Sequence, residues 1–305
     1  MSRQLTSTVM YHYVRSRAKG RFPNLHVRSL SEFENQLSHL QANFEILAVE
    51  ETQNRQDCRN RRTAILTFDD GLKDHYTNVC PLLQRDAIAG AFYVSAAPLI
   101  SRIVLDVHKI QLLLGSQDFH DLYTRLRLEY GALSLREYEE SAATTGDSEG
   151  YDTGEVVMFK HLLQRDLEQP LRSEILGRIF EHFFPEVESE ISSQLYMSIA
   201  ELRELRDAGM HIGNHTMSHY WLGHVDFAVA VSEIMEAESI LLEERLMDES
   251  FKTFAFPYGD VNDQVVGLLE KAGYRLAFTT VPEAWNLAEH SALRVPRFDT
   301  NDFPF

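Results

Sequence analysis

Residues Thr63–Phe68 (TAILTF) restrict the fold of this chain more than any other stretch, because none is charged and each is apolar or β-branched. A strand of that composition has no face to offer water, and such strands belong to parallel sheets covered by helices on both sides. The rest of the sequence agrees. β-like runs at Thr8–Tyr13, Ala89–Val94, Met210–Asn214, Lys252–Phe256, Arg275–Thr279 and Arg294–Phe298 alternate with helix-period patterns, as βα units require. Two helices carry capping boxes: Ser31 with Glu34 beside an apolar face of Phe33, Leu37 and Leu40, and Ser198 with Glu201 before Leu202 and Leu205, ending at Gly209. From Ile100 to Met197 the rhythm stops. Helical patterns at His108–Leu114, Phe159–Arg165 and Leu171–Phe184, with a polar loop near Ala142–Gly154, predict a helical insertion (100–197) within a single 1–305 domain. A chain of 305 residues falls within the range of an α/β barrel.

Composition narrows the function classes. With 44% hydrophobic and 25% charged residues a core can form without disulfides, and Cys58 and Cys80, far apart and outside any CxxC pair, read as reduced, partly buried thiols. The balance of 29 basic against 46 acidic residues gives a net charge of −17, which repels nucleic acid and anionic membranes. Part of that excess sits in Glu137–Glu155 and Glu233–Glu249. The longest apolar run, Ala89–Ile100, is too short to span a bilayer, and the N-terminal MSRQLTSTVM lacks the apolar core of a signal peptide. The expectation is a cytoplasmic protein with no membrane span. Neither GxSxG nor a P-loop occurs, which disfavours a serine hydrolase or a nucleotide-binding enzyme.

Three constellations follow expected strands. Thr67-Phe68-Asp69-Asp70-Gly71 ends the TAILTF strand. Adjacent strand side chains diverge, but a turn at Gly71 lets both carboxylates serve one site; by itself the motif equally suits a turn and a helix cap. His215-Thr216-Met217-Ser218-His219 spaces two imidazoles four apart, as on one face of a helical turn that binds zinc, although such a pair also arises by chance among 13 histidines. Phe254-Ala255-Phe256-Pro257-Tyr258-Gly259 again ends a strand, and Pro257 and Gly259 fix a loop that either turns its backbone N–H groups to a ligand or is only a turn.

Taken together and in this order, the three motifs resemble the polysaccharide deacetylase family (NodB homology, carbohydrate esterase family 4). The N-terminal Met10-Tyr11-His12-Tyr13-Val14 resembles the Tyr-His motif of its exopolysaccharide subgroup. The resemblance covers residues 63–96 and 198–300 besides that motif. It implies a distorted (β/α)7 barrel, an α/β fold, interrupted here by the long helical insertion. It implies a divalent metal held by Asp70, His215 and His219, zinc by ligand type, with cobalt or nickel as alternatives. It further implies that Asp69 is the general base, that the Tyr258 backbone N–H stabilises the oxyanion, and that the substrate is an N-acetylated amino sugar in a glycan or in a lipid-linked or nucleotide-linked precursor.

Two departures from the family pattern stand out. The arginine that usually precedes the third motif's proline by two residues is replaced by Ala255, so Arg297 or Arg294 must supply the cation that orients the base, unless both merely pack or face solvent. The usual C-terminal Leu-x-His is absent, which leaves His12 as candidate general acid against the alternative of a histidine satisfied within the first strand. Two other readings stay open: a carbohydrate-binding pseudoenzyme without turnover, and a metal hydrolase of a non-sugar C–N bond.

Overall fold

The computed structural model describes residues 5–16, 22–53, 62–131, 134–138 and 154–303. The strands are β1 (Thr6–Tyr11), β2 (Glu45–Ile46), β3 (Thr63–Phe68), β4 (Ala91–Val94), β5 (His211–Asn214), β6 (Thr253–Ala255), β7 (Leu276–Phe278) and β8 (Phe298–Asp299). They form one parallel sheet in the order β7-β6-β5-β4-β3-β1-β8, with β2 paired to β3. β3 is buried at every position, as its composition demands. The sheet curls: Val295 bridges Phe278 at the β7 edge, while Phe298 pairs with Val9 of β1 at the other. The segment expected as a last strand, Arg294–Phe298, thus joins both edges and is regular only from Phe298. This is the distorted (β/α)7 barrel expected from the sequence.

Register decides what the rim carries. Tyr11 pairs with Phe68, Phe68 with Phe92, Val94 with Asn214, Asn214 with Phe254 and Ala255 with Phe278. Parallel strands in this register end together. His12, Asp69, His215 and Phe256 therefore follow their strands on one rim, the face on which barrels of this kind build active sites. Below that rim Tyr11, Phe68 and Phe92 stack, with centroids 5.3 Å apart at 20° and 4.7 Å apart at 15°.

The first helix, Leu30–Asn43, corrects one reading. Its cap is Ser29, not Ser31: the Ser29 hydroxyl accepts from the Glu32 N–H at 3.2 Å, and the Glu32 carboxylate accepts from the Ser29 N–H at 2.8 Å. Both serines are followed three residues later by glutamate, and the earlier pair wins because the helix already includes Ser31. Phe33, Leu37 and Leu40 do form the buried face. The helix Ile199–Asp207 is capped by Ser198 with Glu201 as expected, and the chain leaves it at Gly209 with φ +83°.

The chain divides into two compact units, one of Met1–Arg17, Val27–Ile103 and Ser192–Phe305, the other of Ala18–His26 and Val104–Ile191. The first contains the sheet. The second contains the helices Asp106–Ser116, Phe119–Tyr130, Gly154–His161 and Leu171–Phe183, which bury Ile110, Leu113, Leu122, Phe159, Leu176 and Ile179. The loop expected at Ala142–Gly154 lies, apart from Gly154, outside the described residues, as does Cys58; Cys80 is a buried thiol. Among the described residues no helix is long and apolar enough to cross a membrane.

Candidate metal centre

Asp69 and Asp70 leave β3 in different directions. Asp70 takes φ +75° and Gly71 φ +67°, so the backbone turns left-handed at both. A non-glycine residue in that region is strained, and such strain collects at functional sites. Gly71 also lies against Val94, whose Cγ1 would stand 3.1 Å from an added Cβ.

The two histidines meet Asp70 through a loop, which corrects the expected helical turn. Thr216 and His219 both have positive φ, +66° and +60°. The loop is held from all sides. The Thr216 N–H donates to Asn214 Oδ1 at 2.8 Å, the His219 N–H to Thr216 Oγ1 at 3.0 Å, and the Ser218 N–H to the Glu233 carboxylate at 2.6 Å. Ser95, just past β4, donates its hydroxyl to the His215 carbonyl at 2.8 Å. Asn214 is itself fixed by donating to the Ile234 carbonyl.

Asp70, His215 and His219 are buried and offer one ligand atom each, all within 4.8 Å of one another. Both Nε2 atoms stand 3.4 Å from Asp70 Oδ1. That is long for a charge-assisted hydrogen bond of about 2.7–2.9 Å. It is the spacing of about 3.3 Å between neighbouring ligands of a tetrahedral ion bound at about 2.0–2.1 Å. His215 donates from Nδ1 to the Ala255 carbonyl at 2.7 Å, which leaves the Nε2 lone pair toward Asp70. A carbonyl behind a histidine in this way fixes the tautomer a metal needs. Burial opposes a charged His215 imidazole, but the carboxylates of Asp70 and Asp69 outweigh it and raise its pKa. The donors, their tautomer and the negative potential fit a divalent cation.

Asp69 has a different partner. Its two oxygens accept from Nη1 and Nη2 of Arg297, each at 2.8 Å, with both side chains buried. Arg297 in turn donates from Nε to the Thr279 carbonyl at 2.9 Å and from Nη1 to Thr67 Oγ1 at 3.3 Å. Burial alone would push the Asp69 pKa up; Arg297 and His215 outweigh it and hold the carboxyl below its usual range, so it is ionised. Arg294 is not the partner, for it is on the surface against Asp263.

Tyr258 has φ +59° in the short turn Pro257–Gly259, and its ring meets the edge of His219 at 4.6 Å. Trp221 stacks on Tyr258 at 4.4 Å and 13°. His12 follows β1 half-buried, close enough that a protonated imidazole there would favour the Asp69 carboxylate. Its carbonyl accepts from Nε2 of His75 at 2.9 Å. Trp221, Glu233 and His75 have no pattern in the sequence that singles them out; each acquires its place from contacts made only in the folded chain.

Comparison with known proteins agrees with this picture. Residues 184–277 match the family model described as polysaccharide deacetylase. No curated protein shows a significant match. Among solved structures, the chain is similar to the Streptococcus pyogenes deacetylase PplD in complex with acetate, with a TM-score of 0.61 and 14% identity over 98% of this chain and 93% of that one. It is similar to IcaB from Ammonifex degensii, with a TM-score of 0.57 and 16% identity over 97% and 92%. It is also similar to BC0361, a polysaccharide deacetylase from Bacillus cereus, with a TM-score of 0.58 and 17% identity over 97% of this chain but 65% of that one. At these identities the likeness is one of fold.

Proposed function

We propose that this chain, which resembles the polysaccharide deacetylases in sequence and shares their fold, is a metal-dependent hydrolase that removes an N-acetyl group from an amino sugar. The observation that carries the reading is the convergence on one rim of a metal-compatible Asp70–His215–His219 group and a carboxylate, Asp69, held ionised by Arg297. In this reading a divalent ion, zinc by donor type, would polarise the acetamide carbonyl and make water a nucleophile near neutral pH.

The chain's own residues divide the remaining work. Asp69 takes a proton from the attacking water. Arg297 keeps its carboxylate ionised and fixes both oxygens, so the base does not swing toward Asp70. The backbone N–H of Tyr258 stabilises the oxyanion, and the stack of Trp221 on Tyr258 favours one geometry for that turn. His12 donates the proton that the departing amine requires. Substrates of this chemistry include glycans and their lipid-linked or nucleotide-linked precursors.

The test is direct. Purified protein should contain about one divalent ion per chain and release acetate from N-acetylhexosamine conjugates. Metal-loaded protein that opens cyclic imides and leaves N-acetylhexosamines intact would move the assignment to a non-sugar C–N bond. Metal-loaded protein that binds glycans without turnover would make it a pseudoenzyme.

A further inference from the structure

We infer that His75 is a positioning residue for catalysis, acting through His12; the inference rests on the reading of His12 as the general acid. His75 opens the wide helical turn His75–Val79 that follows the Asp-Asp-Gly turn, and it is fully buried. Its ring packs edge-on to Phe68 at 5.5 Å and against Phe92 at 5.8 Å. Leucine would fill such a place without burying a polar edge. Here the edge is used: Nε2 donates to the backbone carbonyl of His12 at 2.9 Å.

That bond is one of a series. The Asp69 N–H donates to the Tyr11 carbonyl at 3.0 Å, and the Arg28 N–H to the Tyr13 carbonyl at 2.9 Å. The Asn78 side chain donates to the Val14 carbonyl at 2.8 Å, and Arg15 Nε donates to Asp74 at 2.6 Å. Residues 11–15 are thus tied one after another, and Asp74, His75 and Asn78 hold three of the five from the segment that begins at the metal-site aspartates. A residue that has just left a strand ordinarily gains loop freedom. His12 does not, and its backbone is registered to the same turn that aims Asp69 and Asp70. An acid displaced by about 1 Å loses on the order of 10²-fold in rate, so this registration is a catalytic requirement.

His75→Phe keeps a ring against Phe68 and Phe92 and removes the donor. His75→Gln restores an N–H at the same number of bonds from the backbone. In the full-length, metal-loaded protein, His75→Phe should keep its metal and its KM and lose on the order of 10-fold in kcat on an N-acetyl substrate. Hydrolysis of an activated ester, whose leaving group needs no proton, should fall far less, and His75→Gln should recover most of the amide rate. His12→Ala combined with His75→Phe should be no slower than His12→Ala alone, because a residue acting through another adds nothing once that other is gone. Asn78→Ala, which removes the neighbouring tie, should repeat the pattern in weaker form and serves if the Phe variant does not fold. Wild-type amide turnover in both His75→Phe and His75→Gln, or equal losses on amide and ester, would overturn the inference while leaving the deacetylase reading intact. Undiminished amide turnover in His12→Ala would overturn both His75's role and that of His12.

Discussion

Arg297 and Asp69, 228 residues apart in sequence, meet through two parallel hydrogen bonds of 2.8 Å in a site closed to solvent. The pairing depends on chain closure. Val295 is bonded to β7 and Phe298 to β1, so Arg297, one of the two residues that bridge these edges, is brought to Asp69. Removing one partner of a buried pair strands the other, at a cost of about 3–5 kcal/mol. Arg297→Met should therefore lower unfolding free energy by about that amount in denaturant titrations. Arg297→Met with Asp69→Asn should regain a substantial part. Equal instability of the single and double variants would mean that Arg297 packs and does not pair.

Asp69 and Asp70 should separate by experiment although they are adjacent. Asp69→Asn keeps an acceptor for one Arg297 N–H but cannot take a proton. It should retain metal and lose on the order of 10²–10⁴-fold in turnover. Asp70→Ala should lose both. Loss of metal from Asp69→Asn would show that the two carboxylates share the ligand role.

Metal binding should also appear as stability. An ion bound only by the folded chain stabilises it by about 2.7 kcal/mol at a hundred times its Kd. Adding zinc to chelator-treated protein should raise Tm. His215→Ala should remove that rise, because it deletes the ligand whose Nδ1 the Ala255 carbonyl holds. A zinc-dependent rise that survives in His215→Ala would place the ion elsewhere.

Gly259 is required by its position after Tyr258. It has φ +71°, and a Cβ there would stand 2.1 Å from Thr280 Oγ1. Left-handed backbone costs an L-residue about 1–2 kcal/mol before that collision is counted. Gly259→Ala should displace the Tyr258 turn and reduce turnover with metal content unchanged, and adding Thr280→Ala should return part of the rate. No loss of turnover in Gly259→Ala would argue that Tyr258 has no part in the reaction.

His75 should give the protein an acid-side stability limb. Burial lowers its pKa from 6.5 to about 4, against the smaller upward pulls of its bond to His12 and of Asp70. Below pH 6.5 the unfolded chain therefore binds a proton that the folded chain refuses, until the pH falls to about 4. Stability carried by the neutral ring is complete above pH 6.5 and declines through that window, by roughly 3 kcal/mol in total. His75→Phe should flatten this part of the profile relative to the parent protein. Parallel profiles for the two would assign the slope to other groups.

What the sequence determined by itself was local. An uncharged run of apolar and β-branched residues in Thr63–Phe68 is enough to demand a strand covered on both faces, and alternation with helices is enough to demand a parallel sheet. In such a sheet the residues just after each strand share a rim, and the resemblance of the three ordered motifs to the deacetylase family is what assigned Asp69, Asp70, His215 and His219 to one site. Ser29 against Ser31 shows the limit of local pattern, since both serines satisfied the same spacing. Glu45–Ile46 escaped because two residues have no periodicity to detect. The tertiary structure decided what depends on closure and on long-range partners. Sequence favoured Arg297 but did not exclude Arg294, three residues away on the same segment. Only the curl of the sheet buries one against Asp69 and leaves the other on the surface with Asp263. The same holds for His75, whose neighbours Phe68 and Phe92 belong to β3 and β4 and whose partner His12 just follows β1. A contact between strand ends is set by register and curvature, quantities that no single segment of the chain encodes.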